Sequence, residues 1–453
     1  VNDPGPVASP PPDQRARERD RDATSGDHRW VRNPGGLFAL LLGILLSGVG
    51  LLFSRPELVF IAAPILVTSA WAHQRRPRTD ATVSVVTTVS PHPGPGVVDY
   101  RTTLDTPPQT DAVVVRLYER GLERSDLVVD RRTAADLAGQ VTIIHSGVQE
   151  IVRVDFELIG PQASVVTAPA RGPRSSRVVA PHILSLRRIP LPFRMFGLSG
   201  GHDSARPGDG GEFRDISQFV PGDRLRRIDW KVTARRAQAP GDLYVRRSFS
   251  TADATVIVVL DSRDDVSILA FDRDRPGAKP DLPTSLDVAR EAASSLASGY
   301  IATGDRVGFR DLASSARTIA PAGGSGHLAR VLAAIARTRP VGAPQRRLRA
   351  PVIPAGALVY VLSTFLDGEA ARMAELWRVA GHRVVAVDTL PPTPLTGLRR
   401  EQEAAVRIVQ LEREARIRSL VALGTDVVRW RPTDDRSPEV QLSTQSRLTR
   451  RPR

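Results

Sequence analysis

The chain has no cysteine among its 453 residues. That removes disulfides, zinc–thiolate sites and cysteine nucleophiles together, and it fits a reducing compartment. Lysine is nearly absent too, with Lys231 and Lys279 the only two. The formal charge of +14 is therefore carried by arginine. Beside abundant Ala, Val and Pro, this arginine reads as compositional bias more than as phosphate recognition. A basic chain still favours acidic partners, whether nucleic acid, anionic lipid or an acidic protein surface. Aromatic residues make up only 5% of the chain. They form no stacking ladder of the kind single-strand binders use, so nucleic acid is not the expected partner. The histidines are scattered without metal-ligand spacing such as H-E-x-x-H. No G-x-S-x-G elbow is present. Gly323-Gly324-Ser325-Gly326 lacks the Gly-Lys-Ser/Thr of a P-loop and reads as an ordinary strand–helix loop. No catalytic arrangement emerges, and the expectation is a protein that is not an enzyme.

What the chain does contain falls into blocks. Residues 1–34 are rich in Pro, Arg and Asp with few large apolar side chains, which predicts disorder. The apolar run that follows starts too late for a secretory signal. Residues 35–72 hold two apolar runs, Gly35–Phe53 and Leu58–Trp71, broken by Ser54-Arg55-Pro56-Glu57. They predict a transmembrane helical hairpin, with the second run short for a full span and carrying Pro64. Trp30 and Trp71 sit at its ends, as interfacial aromatics do. Arg29 and Arg32 precede the pair, Arg75, Arg76 and Arg78 follow it, and the tip has only Arg55 beside Glu57. The positive-inside rule then keeps both ends, and the bulk of the chain, in the cytoplasm, as a multi-pass protein of the plasma membrane.

Residues 80–170 are strand-rich. Val152, Val154, Phe156 and Leu158 alternate with Arg153, Asp155 and Glu157, and Val113, Val115 and Leu117 alternate similarly. Several short strands punctuated by turns predict an immunoglobulin-like β-sandwich. Residues 171–252 read as a linker followed by a dense motif. From Ala254 the pattern changes to apolar strands such as Thr255–Leu260 and Ala357–Leu362. Amphipathic helices over Ser285–Ser298, His327–Ile335, Glu369–Val379 and Leu398–Leu423 separate the strands. Residues 253–432 thus predict a doubly wound, Rossmann-like α/β domain with a mostly parallel sheet. Residues 433–453 predict a basic, disordered tail.

The motif runs from Gly210 to Arg247. It interleaves Glu212, Phe213, Pro221-Gly222-Asp223, Arg226-Arg227-Ile228-Asp229-Trp230-Lys231, Thr233-Ala234-Arg235 and Val245-Arg246. Pro221-Gly222 is a turn, Asp229 opens a short helix with Arg235 and Arg236 at its far end, and Leu243 and Val245 alternate as on a strand. Two roles stay open. In one, Glu212, Asp223 and Asp229 pair with Arg227, Lys231 and Arg235 as an internal clamp, with Trp230 as its apolar plug. In the other, the block docks a partner through Trp and Arg anchors.

These residues resemble the signature of the bacterial family called "domain of unknown function 58". Ile216 and Ser217 depart from its usual Leu-Arg, and the Glu it often carries after V-R is missing. The resemblance implies a membrane-linked protein with a von Willebrand factor A-like domain after the signature. It also implies partnership with AAA+ ATPases of the MoxR type in assembly or envelope maintenance. The expected function is a membrane-anchored, non-enzymatic scaffold or adaptor. The alternatives are a divalent-metal-dependent protein-binding domain or a non-specific binder of nucleic acid or anionic surfaces.

Von Willebrand factor A domains hold a divalent cation, such as Mg2+, through D-x-S-x-S at the end of the first strand. Here that stretch is Asp261-Ser262-Arg263-Asp264-Asp265, with Arg263 at the first Ser position and Asp265 at the second. The later strand end reads Ser363-Thr364-Phe365-Leu366-Asp367 in place of Thr-Asp-Gly. Asp261 and Asp265 are the candidate metal ligands, and the expectation is no cofactor, with Arg263 pairing Asp261 instead.

Overall fold

The computed structural model describes residues 21–77, 79–93, 96–134, 136–193, 202–239, 241–267, 282–314, 316–341, 349–392, 398–431 and 437–448. The chain divides into two units. One comprises Val1–Ile144 and Gln149–Arg177; the other comprises His145–Val148 and Val178–Arg453.

The first unit opens with strands β1 (Arg21–His28) and β2 (Trp30–Arg32). Helices α1 (Pro34–Leu52) and α2 (Pro56–Gln74) follow. Both are long and apolar enough to cross a membrane. Nineteen residues at about 1.5 Å each give roughly 28 Å, close to the hydrocarbon thickness. Pro64 sits inside α2. Strands β3 (Ala81–Pro91), β4 (Val97–Asp105), β5 (Ala112–Glu119) and β6 (Leu122–Asp130) come next, then the single turn α3 (Arg131–Ala134). The unit closes with β7 (Leu137–Thr142), β8 (Gly147–Ile159), β9 (Val165–Thr167) and β10 (Arg174–Val179).

These strands make two sheets, ordered β1-β3-β4-β7 and β2-β9-β8-β5-β6, with β10 also pairing β8. The sheets share one core. Val83, Val85 and Leu104 come from the first, and Val113, Val115, Val154, Phe156 and Leu158 from the second. The period-two pattern read in β5 and β8 is the inward face of this sandwich.

Of the stretch expected to be disordered, residues 1–20 lie outside the described residues, and residues 21–34 depart from that expectation. All eight residues of β1 pair with Ala81–Thr88 of β3, and the ring of His28 stands edge-on to Phe156. Local composition hides this because β1 contributes backbone pairing rather than large apolar side chains.

The second unit contains β11 (His202–Gln218), α4 (Trp230–Arg236) and β12 (Tyr244–Ala252). They are followed by β13 (Thr255–Leu260), α5 (Ser285–Ala302), β14 (Arg306–Asp311), β15 (Thr318–Ala322) and α6 (Ser325–Ala336). Then come β16 (Leu358–Ser363), α7 (Glu369–Val379), β17 (Arg383–Asp388), α8 (Arg400–Ala422), β18 (Asp426–Arg429) and α9 (Pro438–Leu448). The main sheet runs β15-β14-β13-β16-β17-β18, parallel except for β15 at its edge. One apolar layer, with Leu286, Leu296, Phe309 and Tyr360, lies on one face. Another, with Met373, Trp377, Ile417 and Leu420, lies on the other. Burial on both faces is why these strands read as unbroken apolar runs.

Two further segments behave differently from expectation. The stretch assigned to a linker packs on this core through Leu184, Leu186, Ile189 and Leu191. Leu184 N–H donates to Ser295 Oγ, and the Tyr300 hydroxyl donates to the Pro190 carbonyl. Part of the expected disordered tail is helix α9. Its Leu442 is fully buried, and Gln441 exchanges two hydrogen bonds with the Arg429 backbone, at 2.9 and 3.0 Å. The helix thus covers edge strand β18 by pairing Gln side chains with its free backbone groups. A single buried leucine leaves little periodic signal for this.

Candidate functional site

The signature folds as a closed loop system. β11 and β12 pair antiparallel, with Asp215 opposite Arg247, Ile216 opposite Arg246 and Gln218 opposite Tyr244. Between them lies a turn at Val220–Asp223, with Gly222 at φ +107°, in the region that favours glycine. A 3-10 turn, Leu225–Arg227, and then α4 follow. Asp223, Asp229 and Asp242 work mainly on backbone, while Asp215 lies beside Arg214, at 3.5 Å. Asp223 accepts from Val220 N–H at 2.9 Å, and Asp229 caps α4 by accepting from Val232 N–H at 3.0 Å. Asp242 accepts from Gln238 and Ala239 N–H and from the Gln218 amide. The Asp229 N–H donates to the Tyr244 carbonyl, and Tyr244 N–H donates to Thr233 Oγ1. Buried Ile228 and Val245 bridge beneath.

The charged clamp is only partly as expected. Asp223 does take a guanidinium, but that of Arg247, at 3.2 Å. Asp229 is a helix cap, and Lys231 and Arg235 project from α4 as exposed cations. Trp230, the plug of the clamp reading, is 68% exposed, because the first position of a short helix on an outer loop has nothing above it. Leu225 is 67% exposed, and Val220 and Phe213 are exposed as well. Arg246 lays its guanidinium over the Phe213 ring, 5.1 Å from the centroid. Arg227 is half-buried on the 3-10 turn. The side chain of Glu212 lies outside the described residues.

The second candidate lies at the C-terminal ends of the parallel strands, where open α/β sheets place their ligands. Asp261, just past β13, and Asp367, in the loop after β16, both grip Arg263. Its Nε and Nη2 donate to Asp261 at 2.7 Å each; Nη1 and Nη2 donate to Asp367 at 2.6 and 2.9 Å. Burial works against the guanidinium charge, but the hydrogen bonds and charges of Asp261 and Asp367 outweigh it and raise the Arg263 pKa. The Ser363 hydroxyl donates to Asp261 at 2.8 Å. Asp264 is pushed above the ordinary carboxylate range by burial and by Asp261 and Asp367.

Neighbouring strand ends repeat the pattern. Asp311, closing β14, takes Arg317 at 2.9 Å and the Ser262 hydroxyl at 2.7 Å. Asp388, closing β17, meets Arg413, although burial still raises its carboxyl above the usual range. Arg413 and Arg416 also donate to the carbonyls of Thr364 and Leu366. They brace a loop in which buried Phe365 sits at φ +54°.

Residues 215–396 match the family model described as "Protein of unknown function DUF58". The match runs from within β11 to just past β17 and supports the resemblance drawn from the signature. Neither a curated protein nor a solved structure matches the chain.

Within the matched segment, the two candidate metal ligands separate. Asp261 is committed to Arg263, whereas Asp265 accepts from Leu286 N–H at 3.2 Å, in the first turn of α5. Among the described residues no cluster of three or more His, Cys, Asp or Glu has metal-binding geometry. Asp311 and Asp388 are the site residues that motif reading missed, whereas Asp367 is the acid that the motif comparison places late after its strand. The available signal was an Asp at, or shortly after, the end of each apolar strand.

Proposed function

We propose that this protein is a membrane-anchored, non-enzymatic scaffold that presents its DUF58 signature to a protein partner. In this reading the two apolar helices anchor it in the plasma membrane with the bulk of the chain cytoplasmic, and the doubly wound unit is von Willebrand factor A-like. One observation carries it. Asp223, Asp229 and Asp242 of the signature are occupied by backbone amides, the Gln218 amide and Arg247, so its loops hold their shape internally. Exposed Trp230 and Leu225 are then left among the exposed cations Arg226, Lys231, Arg235 and Arg236. Large exposed apolar side chains ringed by positive charge suit an acidic protein surface with a hydrophobic anchor point. The resemblance stated above names the partner class as an AAA+ ATPase of the MoxR type.

The test is paired, on full-length protein purified in mild detergent. Trp230→Ala and Arg236→Ala should lower recovery of the ATPase while melting stays within about 0.5 kcal/mol of the parent, as exposed substitutions do. Asp229→Ala should lower the melting temperature by the loss of a helix cap, about 1 kcal/mol. If the Trp230 and Arg236 variants recover the ATPase like the parent, or the parent recovers none, the docking reading is wrong.

A further inference from the structure

The main sheet reverses its direction of growth between β13 and β16. From β13 the chain crosses to β14 on one side, then returns to add β16 on the other. The crevice outside that reversal is the place where doubly wound sheets take ligands. In this chain it contains Asp261, Asp367 and the Ser363 hydroxyl, which are hard oxygen donors of the kind that bind Mg2+, Mn2+ or Ca2+. A guanidinium lies among them.

We propose that Arg263 is a tethered cation that takes the position a divalent ion would otherwise hold between Asp261 and Asp367, so that this crevice is complete without metal.

Three features support this assignment. Four N–H···O contacts of 2.6–2.9 Å from one guanidinium satisfy two carboxylates at once. That is bidentate recognition on both sides, which a flexible ammonium does not reproduce. The Arg263 side chain is only 5% exposed and that of Asp261 4%, so neither charge can be left unpaired without a large desolvation penalty. The tether is short. Arg263 lies two residues beyond Asp261, and its own N–H also reaches the Asp261 carboxylate at 3.3 Å. The other strand ends use arginine too, but there each guanidinium meets a single strand-end carboxylate: Arg317 meets Asp311, and Arg413 and Arg429 meet Asp388 together with Glu414 of α8. Among the described residues, only here do two carboxylates from different strand ends share a single cation, which is the arrangement a bridging metal ion produces.

The experiment uses the full chain in detergent, with Mn2+ as probe. The parent should show no one-to-one binding by calorimetry at millimolar Mn2+, and its melting temperature should not move with Mn2+ or a chelator. Arg263→Ser should melt lower and acquire a one-to-one site with a dissociation constant of about 10⁻⁴ M or tighter. Mn2+ should restore much of its lost melting temperature, and adding Asp367→Asn should abolish both effects. A parent that binds Mn2+ tightly, or a folded Arg263→Ser that binds none, would overturn the proposal. Should Arg263→Ser not fold, a second pair decides. Arg263→Lys keeps a tethered charge and Arg263→Met keeps only the stem, so the Lys variant should melt higher. Equal melting of the two would show that the crevice does not need a cation there.

Discussion

At the scale of single residues, this protein places its carboxylates on backbone amides and guanidinium groups. Asp287 in the second unit is the densest case. It closes a capping box with Thr284 at the start of α5, and it accepts from the His145 Nδ1–H, the Ser146 N–H and the Ser146 hydroxyl at 2.6–2.8 Å. Burial pushes its carboxyl up, but the hydrogen bonds from His145, Thr284 and Ser146 outweigh burial and hold it below the ordinary range. The sign follows. A carboxylate depressed in the folded state stabilises the fold above the unfolded value, about 3.9, and that contribution disappears as pH falls through the folded value. Asp287→Asn should therefore lower the melting temperature at neutral pH by roughly 1–3 kcal/mol of stability. The gap from the parent should close as pH drops below about 4. A gap that stays constant between about pH 7 and pH 3 would show that the carboxylate charge is not what matters there.

At the scale of elements, the hairpin is held by shape. Gly36, Gly43 and Gly50 recur every seven residues and so share a face of α1. A Cβ on Gly43 would lie 3.0 Å from Leu66 Cδ2. One on Gly50 would lie 2.9 Å from Val59 Cγ2 and 3.0 Å from the Arg55 carbonyl, a backbone atom that cannot swing aside. Close packing through small residues is how helices associate in lipid, where there is no hydrophobic drive between them. Gly50→Leu should separate the hairpin and lower the melting temperature of the detergent-solubilised chain, at an overpacking cost of about 1–3 kcal/mol. Gly48→Leu is the control, since a Cβ there meets nothing within 4 Å. Equal behaviour of the two variants would remove the packing argument.

Elements with a strong internal period were the legible ones. Thr255–Leu260 and Glu369–Val379 form where their patterns predict, because burial on fixed faces writes itself into sequence. β1, α9 and the strap around Leu184–Leu191 were not legible, because each is held by a partner far along the chain. The same holds for the site. Asp261 and Arg263 stand two residues apart and their pairing could be anticipated, but Asp367 joins them only once β13 and β16 lie side by side. Trp230 is a plug in one reading of the signature and an anchor in the other, and its exposure follows only once the surrounding loops are in place.

At the scale of the whole molecule, the helical hairpin and the two sheets of the first unit are continuous. β2 ends at Arg32 and α1 begins at Pro34, so a single residue joins them. That residue, Asn33, caps α1 by accepting from Gly35 N–H. Its amide donates to the Ala163 carbonyl at 2.8 Å, and its own N–H donates to the Ser164 carbonyl. The far end of the hairpin returns from Gln74 to β3 at Ala81, in the other sheet of the same sandwich. Both ends of the hairpin thus enter one folded body. If the helices span, the body must sit on the side where both ends emerge, and the tip at Ser54–Arg55 must face the other. Charge selects which side that is. Arg29 and Arg32 lie before the pair and Arg75 and Arg76 after it, whereas the tip offers Arg55 beside Glu57. Arg75 lies over the Trp71 ring, 4.8 Å from its centroid, as an interfacial aromatic–cation pair would. The proposed orientation predicts that a reporter active only outside the cytosol stays silent when fused after Arg453. The same reporter inserted between Ser54 and Arg55 should be active. Activity at Arg453, or silence at both positions, would reject the hairpin orientation. Replacing Arg75 and Arg76 with Ala while adding two Arg at the tip should weaken the bias, and mixed signals from the two fusions would measure how far charge alone sets it.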